Sequence, residues 1–350
     1  MIAFFIYLPL LLTCVLVIFY LERKIAAFIQ DRLGPSHVGK FGTLQPVADL
    51  LKLVQKEDII PAKADKLLFK AAPFLIFVAT FAGFVVVPIS NAYQPAGLQT
   101  GVFFVLAIIS IDVIGILMAG WSSNNKYALF GSMRAIAQVV SYEIPVGLSV
   151  LSVVMLCQTL DLQMICFLQS PMGAKSEGLQ SLGGIFAWNI VKAPYLIIAY
   201  VVFYIGTLAE CNRAPFDIPE AESELVGGIH TEYSGFRFAK FFLAEYGMML
   251  LVSLLGAILF FGGWNSPFPN IGNIKMADWT NGNIGEISGH IWGAFWLISK
   301  AFVAMLIQVQ IRWTFPRIRV DQMMSLCWKY LTPFGILAVL ISGVWRLYFY

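Results

Sequence analysis

An acidic stretch in the middle of the chain contains the residues best suited to proton chemistry. It reads TLAECNRAPFDIPEAESELVGG over residues 207–228 and follows about twenty apolar residues. Fifteen consecutive positions of this stretch contain five of the twenty Asp and Glu residues of the chain: Glu210, Asp217, Glu220, Glu222 and Glu224. If the segment is helical, Glu220 and Glu224 lie one turn apart and repel one another, so their proton binding is coupled.

Five further charged residues lie inside long apolar segments: Asp112, Glu143, Lys192, Glu245 and Lys300. Glu22 and Glu210 stand at the ends of such segments. A charge at the centre of a membrane helix costs roughly 2.5–3.5 kcal/mol on insertion scales. These residues must therefore form ion pairs, as Lys300 with a carboxylate would, face water, or, for the acids, bind a proton. The last two arrangements make a proton path.

A purely structural interpretation of these charges stays open. Buried acid–base pairs sometimes only fix the register of two helices, and Lys192, near a helix end, can extend its ammonium group to the interface.

Glu143 precedes Pro145 in the sequence SYEIP. Because proline removes a backbone donor and crowds the preceding turn, we expect a kink or a local opening beside this carboxylate.

The elements that position these charges are membrane helices. The sequence is 59% hydrophobic and only 12% charged, far below the roughly one-quarter charged average of soluble domains. A bilayer core of about 30 Å needs about 20 apolar residues per helix. Eight segments are apolar over about this length. The first of them lacks the basic start and the cleavage site of a signal peptide, so it is predicted to be a helix. They lie near residues 2–20, 71–89, 101–121, 136–160, 184–208, 241–263, 291–309 and 331–348.

The fold class predicted is all-α, a polytopic bundle of about eight transmembrane helices in a single membrane domain over residues 1–350. The odd-numbered connections hold 18 of the 23 Lys and Arg residues, and the even-numbered ones hold two. The positive-inside rule therefore predicts cytoplasmic odd loops and both termini on the opposite side. The first cytoplasmic loop covers about residues 21–70, and the acidic loop covers about residues 209–240.

An amphipathic surface helix is predicted in the first loop, at about residues 44–56. Apolar residues recur there at steps of three and four, with Thr43 as a possible cap and Pro46 in the first turn. Basic residues beside aromatic ones in the seventh connection, IRWTFPRIRVDQMMSLCWK, serve as interface anchors or dock a soluble partner. Both interpretations stay open.

Redox and nucleotide chemistry are not predicted for this chain. Its five cysteines include no CxxC pair and its three histidines stand apart, so neither an iron–sulfur cluster nor a metal site is supported. A Gly-rich phosphate loop is not found either. The basic residues are not interleaved with aromatic ones in the manner of nucleic-acid-binding proteins. We therefore expect electron and nucleotide chemistry on partner chains.

Four long segments resemble one family: ERKIAAFIQDRLGPSHVGKFGTLQPVADLLKL, AGWSSNNKYALFGSMRAIAQVVSYEIP, AECNRAPFDIPEAESELVGG with TEYSG and AEYG after it, and RWTFPRIRVDQMMSLCWK. The family is the quinone-site membrane subunit of proton-translocating NADH-quinone oxidoreductase (respiratory complex I), which occurs in bacteria and in mitochondria. The resemblance covers nearly the whole chain. It implies an eight-helix subunit that joins a soluble electron-transfer arm to the membrane arm.

The resemblance also implies roles for individual residues. Arg23, Asp49 and Lys52 are expected along the entrance and chamber that admit a quinone. Carboxylates are expected to lead from that chamber to the pumping subunits: Glu143, Glu210, Glu220, Glu222 and Glu245, with Glu22 and Glu224 as supporting members. Lys300 matches a basic position of the seventh helix. One departure is SIDVIG, where Ile114 and Asp112 differ from the family's usual residues, so Asp112 receives no family role.

The resemblance implies ubiquinone or menaquinone as the bound substrate, with no metal or nucleotide on this chain. FMN and iron–sulfur clusters are expected on partners: soluble iron–sulfur and quinone-site subunits of the peripheral arm, besides other membrane-arm subunits and lipid. A bacterial inner membrane is expected rather than a mitochondrial one. Three alternatives stay open, namely the equivalent subunit of a membrane-bound hydrogenase-type complex, a stand-alone proton-coupled transporter, and an anchor that only tethers a soluble enzyme.

Overall fold

The structure is a computed structural model that describes residues 2–91, 93–170, 182–219, 222–270, 275–282 and 286–349, and its regular elements there are helices. A five-residue π-helical segment, Cys327–Leu331, joins the last two α-helices into one continuous element. The α-helices are α1 Ile2–Ile29, α2 Gln45–Gln55, α3 Lys66–Gly83, α4 Gly101–Ser122, α5 Lys126–Cys157, α6 Leu162–Leu168, α7 Asn189–Lys192, α8 Leu196–Glu210, α9 Glu222–Leu225, α10 Gly235–Phe260, α11 Met276–Asn281, α12 Ile287–Thr314, α13 Val320–Leu326 and α14 Thr332–Phe349.

The helices confirm the predicted all-α membrane bundle. Within the described ranges, six are long and apolar enough to cross a membrane, with α3, α13 and α14 extended by the turns that adjoin them. Each of the eight predicted segments contains a helix: α1 covers the first with 28 residues, and α8 is a shorter apolar helix of 15 residues. Because lipid offers no hydrogen-bond partners, backbone groups at this depth must pair within a helix.

The predicted span over residues 184–208 is wrong in its first half. A 3₁₀ turn and the four-residue helix α7 occupy that part, and α8 begins only at residue 196. Gly183 and Gly184 have φ of +67° and +60°, which a continuous right-handed α-helix does not accommodate. Pro194 then excludes helical geometry for Ala193, whose φ of −134° is extended. Hydropathy alone does not detect these backbone breaks.

Helix α2 lies where the amphipathic surface helix is predicted, but it is capped differently. Its N-cap residue is Leu44 rather than Thr43, without a side-chain hydrogen bond, and Pro46 stands in its first turn. Leu51 and Val54 are more than half exposed on the isolated chain. An exposed apolar stripe on a short helix is the arrangement expected at a membrane surface.

Helix α10 is the centre of the bundle. Of its most apolar 18-residue segment, 83% is buried, and it packs against α1, α2, α3, α8 and α12. A helix buried on all sides can be apolar around its whole circumference. Tyr246 and Glu245, which are adjacent on α10, therefore reach different neighbours on its two sides.

The odd-numbered connections meet at one end of the bundle. Asp65 donates its backbone N–H to Ser122 over 3.0 Å, and Arg317 binds Asp217 at 2.7 Å. Contacts between even-numbered connections lie at the other end, where Ile185 donates to Pro267 at 3.1 Å. Glu22 and Glu210 lie near the first end, whereas Lys192 and Lys300 lie near the other.

Candidate functional site

A pocket opens between α1, α2 and α10 near the first end. Its volume is about 280 Å³. Phe19 of α1, Leu50 and Leu53 of α2, and Phe242 and Tyr246 of α10 make its lining largely apolar. Ligand pockets in proteins are mostly apolar with a few placed polar groups, and this one has that character.

Three charged residues predicted from the sequence, Arg23, Asp49 and Lys52, all line this pocket. Arg23 donates from Nη1 to Oδ2 of Asp49 at 2.5 Å, and the amide of Gln45 donates to Oδ1 at 3.1 Å. The guanidinium carbon lies 4.2 Å from the ring centroid of Phe19. The ion pair therefore ties α2 to α1 and leaves polar atoms partly accessible beside an apolar wall.

Glu22 forms the centre of a buried charge cluster next to the pocket. It is only 5% exposed. The hydroxyl of Tyr246 donates to its Oε2 at 2.6 Å, and Arg312 of α12 donates to Oε1. Arg213 is a second basic neighbour, with Nη1 3.9 Å from Oε1. Paired and hydrogen-bonded in this way, the carboxylate tolerates burial.

Arg213 points into the protein because the chain reverses directly after α8. Asn212 adopts a left-handed φ of +49°, and the Arg213 N–H donates back to Leu208 at 3.4 Å. The side chain is 6% exposed, and Nη2 lies 3.6 Å from Oε2 of Glu245. Its guanidinium carbon is 4.3 Å from the ring centroid of Tyr246. Within the described part of the chain, this buried cation thus approaches the carboxylates of Glu22 and Glu245 and the ring of Tyr246.

A second, smaller cavity of about 30 Å³ is lined by acids from three different helices. Asp112 comes from α4, Glu210 from α8 and Glu245 from α10. His230 lies beside them, with Nε2 3.4 Å from Oε1 of Glu245. Among the described residues, Oδ1 of Asp112 and Oε2 of Glu210 are buried without a hydrogen-bond partner. A polar cavity of this size has room for about one water molecule.

Glu143 extends the group of acids into α5. Its carboxylate accepts a hydrogen bond from the hydroxyl of Ser110 on α4. It lies close enough to Glu210 for the two charges to interact. Helix α5 continues through Pro145 to its end at Cys157. The acids Glu143, Glu210, Asp112 and Glu245 therefore form a contiguous group within the bundle.

The acidic loop after α8 is tied to its surroundings by ion pairs. Asp217, 7% exposed, binds Arg317, and Glu224 binds Arg134 at 2.5 Å. Glu224 is 61% exposed, so it lies outside the buried group. Glu220 lies outside the described residues, as does the side chain of Glu222.

Two ionisable groups in the connection between α8 and α10 stay protonated near neutral pH. Burial, with a smaller contribution from Glu210, raises the pKa of the Cys211 thiol well above its usual range. Burial also raises the pKa of Tyr233 to about 12. Neither group adds negative charge there.

The two lysines of the apolar segments bind backbone carbonyls. Lys300 donates to Phe261 at 2.7 Å, Gly263 at 2.9 Å and Asn265 at 2.6 Å. These carbonyls follow the end of α10, so the expected pairing with a carboxylate is replaced by a cap on that helix. Lys192 donates to Leu168 at 2.6 Å, which is a structural contact.

Sequence reasoning misses several members of the site. Arg213 and Tyr246 lie within the motifs AECNRAP and AEYG, but nothing in the sequence sets them apart there, and Arg312 has the pattern of an anchor or a docking residue. His230 stands alone in the sequence. Asp112 has no family role, yet it shares a cavity with two predicted acids. The contacts of Arg213, Tyr246 and Arg312 with Glu22 join residues far apart in the sequence and form only in the folded chain.

Among the described residues, no group of three or more His, Cys, Asp or Glu side chains is arranged to hold a metal ion. The site is therefore a set of carboxylates, arginines and aromatic rings beside an apolar pocket. Such groups can bind an apolar molecule with a polar head and can hold and exchange protons.

Comparison with known proteins gives consistent matches over nearly the full length. A family model described as NADH dehydrogenase matches residues 2–343. The NADH-quinone oxidoreductase H subunit 2 of Cytophaga hutchinsonii is 55% identical over 352 residues, covering 97% of this chain and 96% of the relative. The corresponding H subunit of Chlorobium luteolum is 50% identical over 331 residues, with 94% and 84% covered. That of Anaeromyxobacter dehalogenans is 43% identical over 332 residues, with 93% and 76% covered.

Proposed function

This chain belongs to the NADH dehydrogenase family, as a membrane subunit of NADH-quinone oxidoreductase (complex I), and we propose that it forms the quinone chamber and links quinone reduction to proton translocation. As one subunit of an enzyme complex, it is not expected to be active alone. The observation that carries the proposal is the adjacency of an apolar pocket and a group of buried acids on the two sides of α10.

The pocket between α1, α2 and α10 is proposed as the path by which the quinone enters. Its lining suits an isoprenoid tail, and Arg23, Asp49 and Lys52 offer polar groups to the passing head. Ubiquinone or menaquinone is the proposed substrate. Soluble iron–sulfur and quinone-site subunits, carrying the clusters and FMN, are the proposed partners that deliver electrons.

The buried acids are proposed as the first part of the proton path. Glu143, Glu210 and Glu245 are its main members, and Glu22 joins it through Arg213. An ionised carboxylate without a partner is costly in a buried site, so Asp112 and Glu210 favour a bound proton or a bridging water. Glu220, Glu222 and Glu224 are proposed on the same path at the surface. Lys300 is proposed to support the path by holding the end of α10.

The pocket is tested by removing its ion pair. We expect Arg23→Ala or Asp49→Asn to lower NADH-driven quinone reduction about tenfold or more, because a hydrogen bond to a charged group contributes about 1.5–3 kcal/mol. Electron transfer from NADH to a water-soluble acceptor should be unchanged. Asp58→Asn, which removes the ion pair of Asp58 with Arg237 away from the pocket, is the control. Equal loss of both activities in the pocket variants would reject the chamber role.

The proton path is tested with nearly isosteric amides. In membranes containing the assembled enzyme, we expect Glu143→Gln or Glu245→Gln to reduce the number of protons moved per electron by at least half, because an amide does not ionise. Proton uptake and NADH oxidation are measured together. Unchanged turnover and proton yield in both variants would contradict the proposal.

A further inference from the structure

Arg213 lies in the wall between the two cavities. Tyr246 lines the apolar pocket and Glu245 lines the acidic cavity, although the two residues are neighbours on α10. The guanidinium contacts both, at 4.3 Å from the Tyr246 ring centroid and 3.6 Å from the Glu245 carboxylate. A single buried cation therefore forms a direct electrostatic link between the two cavities.

Among the described residues, Arg213 approaches the carboxylates of Glu22 and Glu245, which are held very differently. Glu22 accepts hydrogen bonds from Tyr246 and Arg312, so it has strong partners without Arg213. Glu245 has Arg213 at 3.6 Å and His230 at 3.4 Å, both longer than the 2.7–2.9 Å typical of a charge-assisted hydrogen bond. Among the described residues, the cations nearest Glu245 therefore lie at ion-pair distance without a short hydrogen bond to it.

The other groups facing Glu245 disfavour its charge. Asp112 of α4 and Glu210 of α8 line the same cavity, and both are acids. An arginine remains protonated in proteins, and burial strengthens its field at short distance. A shift of Arg213 away from Glu245 would therefore leave that carboxylate among acids and favour its protonation.

We propose that Arg213 is a positioning residue that ties the charge in the apolar pocket to the protonation of Glu245. This inference rests on the proposed function. Partner subunits deliver two electrons to the quinone, and a reduced quinone that has not yet bound two protons carries negative charge. In the pocket, that charge draws the guanidinium toward Tyr246 and Glu22. Glu245 then forms an O–H bond with a proton that a hydronium ion from the bulk solution gives up, and the hydronium ion becomes water.

The return step restores the starting arrangement. Once the reduced quinone has bound two protons and left as neutral quinol, the guanidinium moves back toward Glu245. The O–H bond of Glu245 breaks, and its proton passes to a neighbouring acid or water in the acidic cavity. Glu245 thus takes up and releases one proton, and the carboxylate itself is neither oxidised nor reduced.

The test uses infrared difference spectra of the assembled enzyme, recorded between oxidised and reduced quinone. A protonated carboxyl band that appears on reduction, and that Glu245→Gln removes, reports on Glu245. We expect Arg213→Gln to abolish this difference band, because Glu245 is then protonated in both states, and to lower the proton yield per electron at least twofold. The matched control is Arg237→Gln, which alters a partly buried arginine on α10 that lines neither cavity. It should keep both signals.

The outcomes separate the inference from the proposed function. Wild-type band and yield in Arg213→Gln, or an unchanged band in Glu245→Gln, overturn the inference alone. The proposed function is overturned as well only if the proton yield is unchanged in both Glu143→Gln and Glu245→Gln. If the enzyme with Arg213→Gln does not assemble, the variant Arg213→Lys tests the inference instead. Its single-point charge does not hold the two carboxylates and the ring together, so we expect at least a twofold smaller band. An unchanged band and yield in Arg213→Lys would then overturn the inference.

Discussion

Lys300 shows how one buried cation stabilises the backbone of a membrane protein. The ammonium group has three donors, and its three contacts are with the carbonyls of Phe261, Gly263 and Asn265. Carbonyls past the end of a helix have no partner within it. Lys300 therefore fixes the turn that follows α10, the helix that separates the two cavities.

We expect Lys300→Met to lower the thermal stability of the enzyme, because it leaves three carbonyls without a donor at about 1–3 kcal/mol each. The measurement is the melting temperature of the purified complex and its amount in membranes. Lys192→Met, which removes one such contact, should have the smaller effect. Equal stability of the wild type and Lys300→Met would show that other groups satisfy these carbonyls.

At the scale of helices, α5 and α8 approach one another closely at Gly206. A Cβ atom there would lie 2.3 Å from Cγ2 of Val146. Glu143 and Glu210 each lie about one turn from this contact, toward the same end of the bundle. The glycine therefore sets the distance between two of the acids.

Gly206→Ala should push α5 and α8 apart, because valine in a helix is stiff at χ1 and does not rotate away easily. We expect at least a twofold loss of proton-coupled quinone reduction or of assembled enzyme. Gly147→Ala is the control, since a Cβ there meets nothing within 4 Å. The double variant Gly206→Ala with Val146→Ala should recover activity, and a wild-type result for Gly206→Ala alone would contradict the close contact.

The helices are predictable from sequence, but their breaks and partners are not. Long apolar segments must be helical in lipid, which is why each predicted segment contains a helix. The helix break before α8 depends on the positive φ of Gly183 and Gly184 and on the extended Ala193 before Pro194, and hydropathy carries no such information. The site, too, is only partly predictable from the sequence. Arg23 and Asp49 are found through a family motif. The pairing of Glu22 with Arg312 joins residues 290 positions apart, and the sequence does not indicate it.

At the scale of the whole molecule, the odd-numbered connections meet at one end, and their excess of Lys and Arg predicts that this end faces the cytoplasm. We expect Gln99→Cys, in an exposed even-numbered loop, to react with a membrane-impermeant maleimide only from the non-cytoplasmic side. Ser36→Cys should react only in inverted vesicles stripped of peripheral subunits. The native cysteines are buried or partly buried, so the wild type gives the background. Labelling of both variants from one side would reject this orientation.

The pairing of Glu22 with Arg312 has a consequence for biosynthesis. A ribosome adds about 5–20 residues per second, so the arginine is made about 15–60 s after the glutamate. Tyr246, the other direct partner, also follows more than 200 positions later. During that interval the first helix holds an acid without its two hydrogen-bonding partners, and the full set of contacts forms only after the seventh spanning segment has been made. Helix insertion and final packing are therefore separate events in this protein.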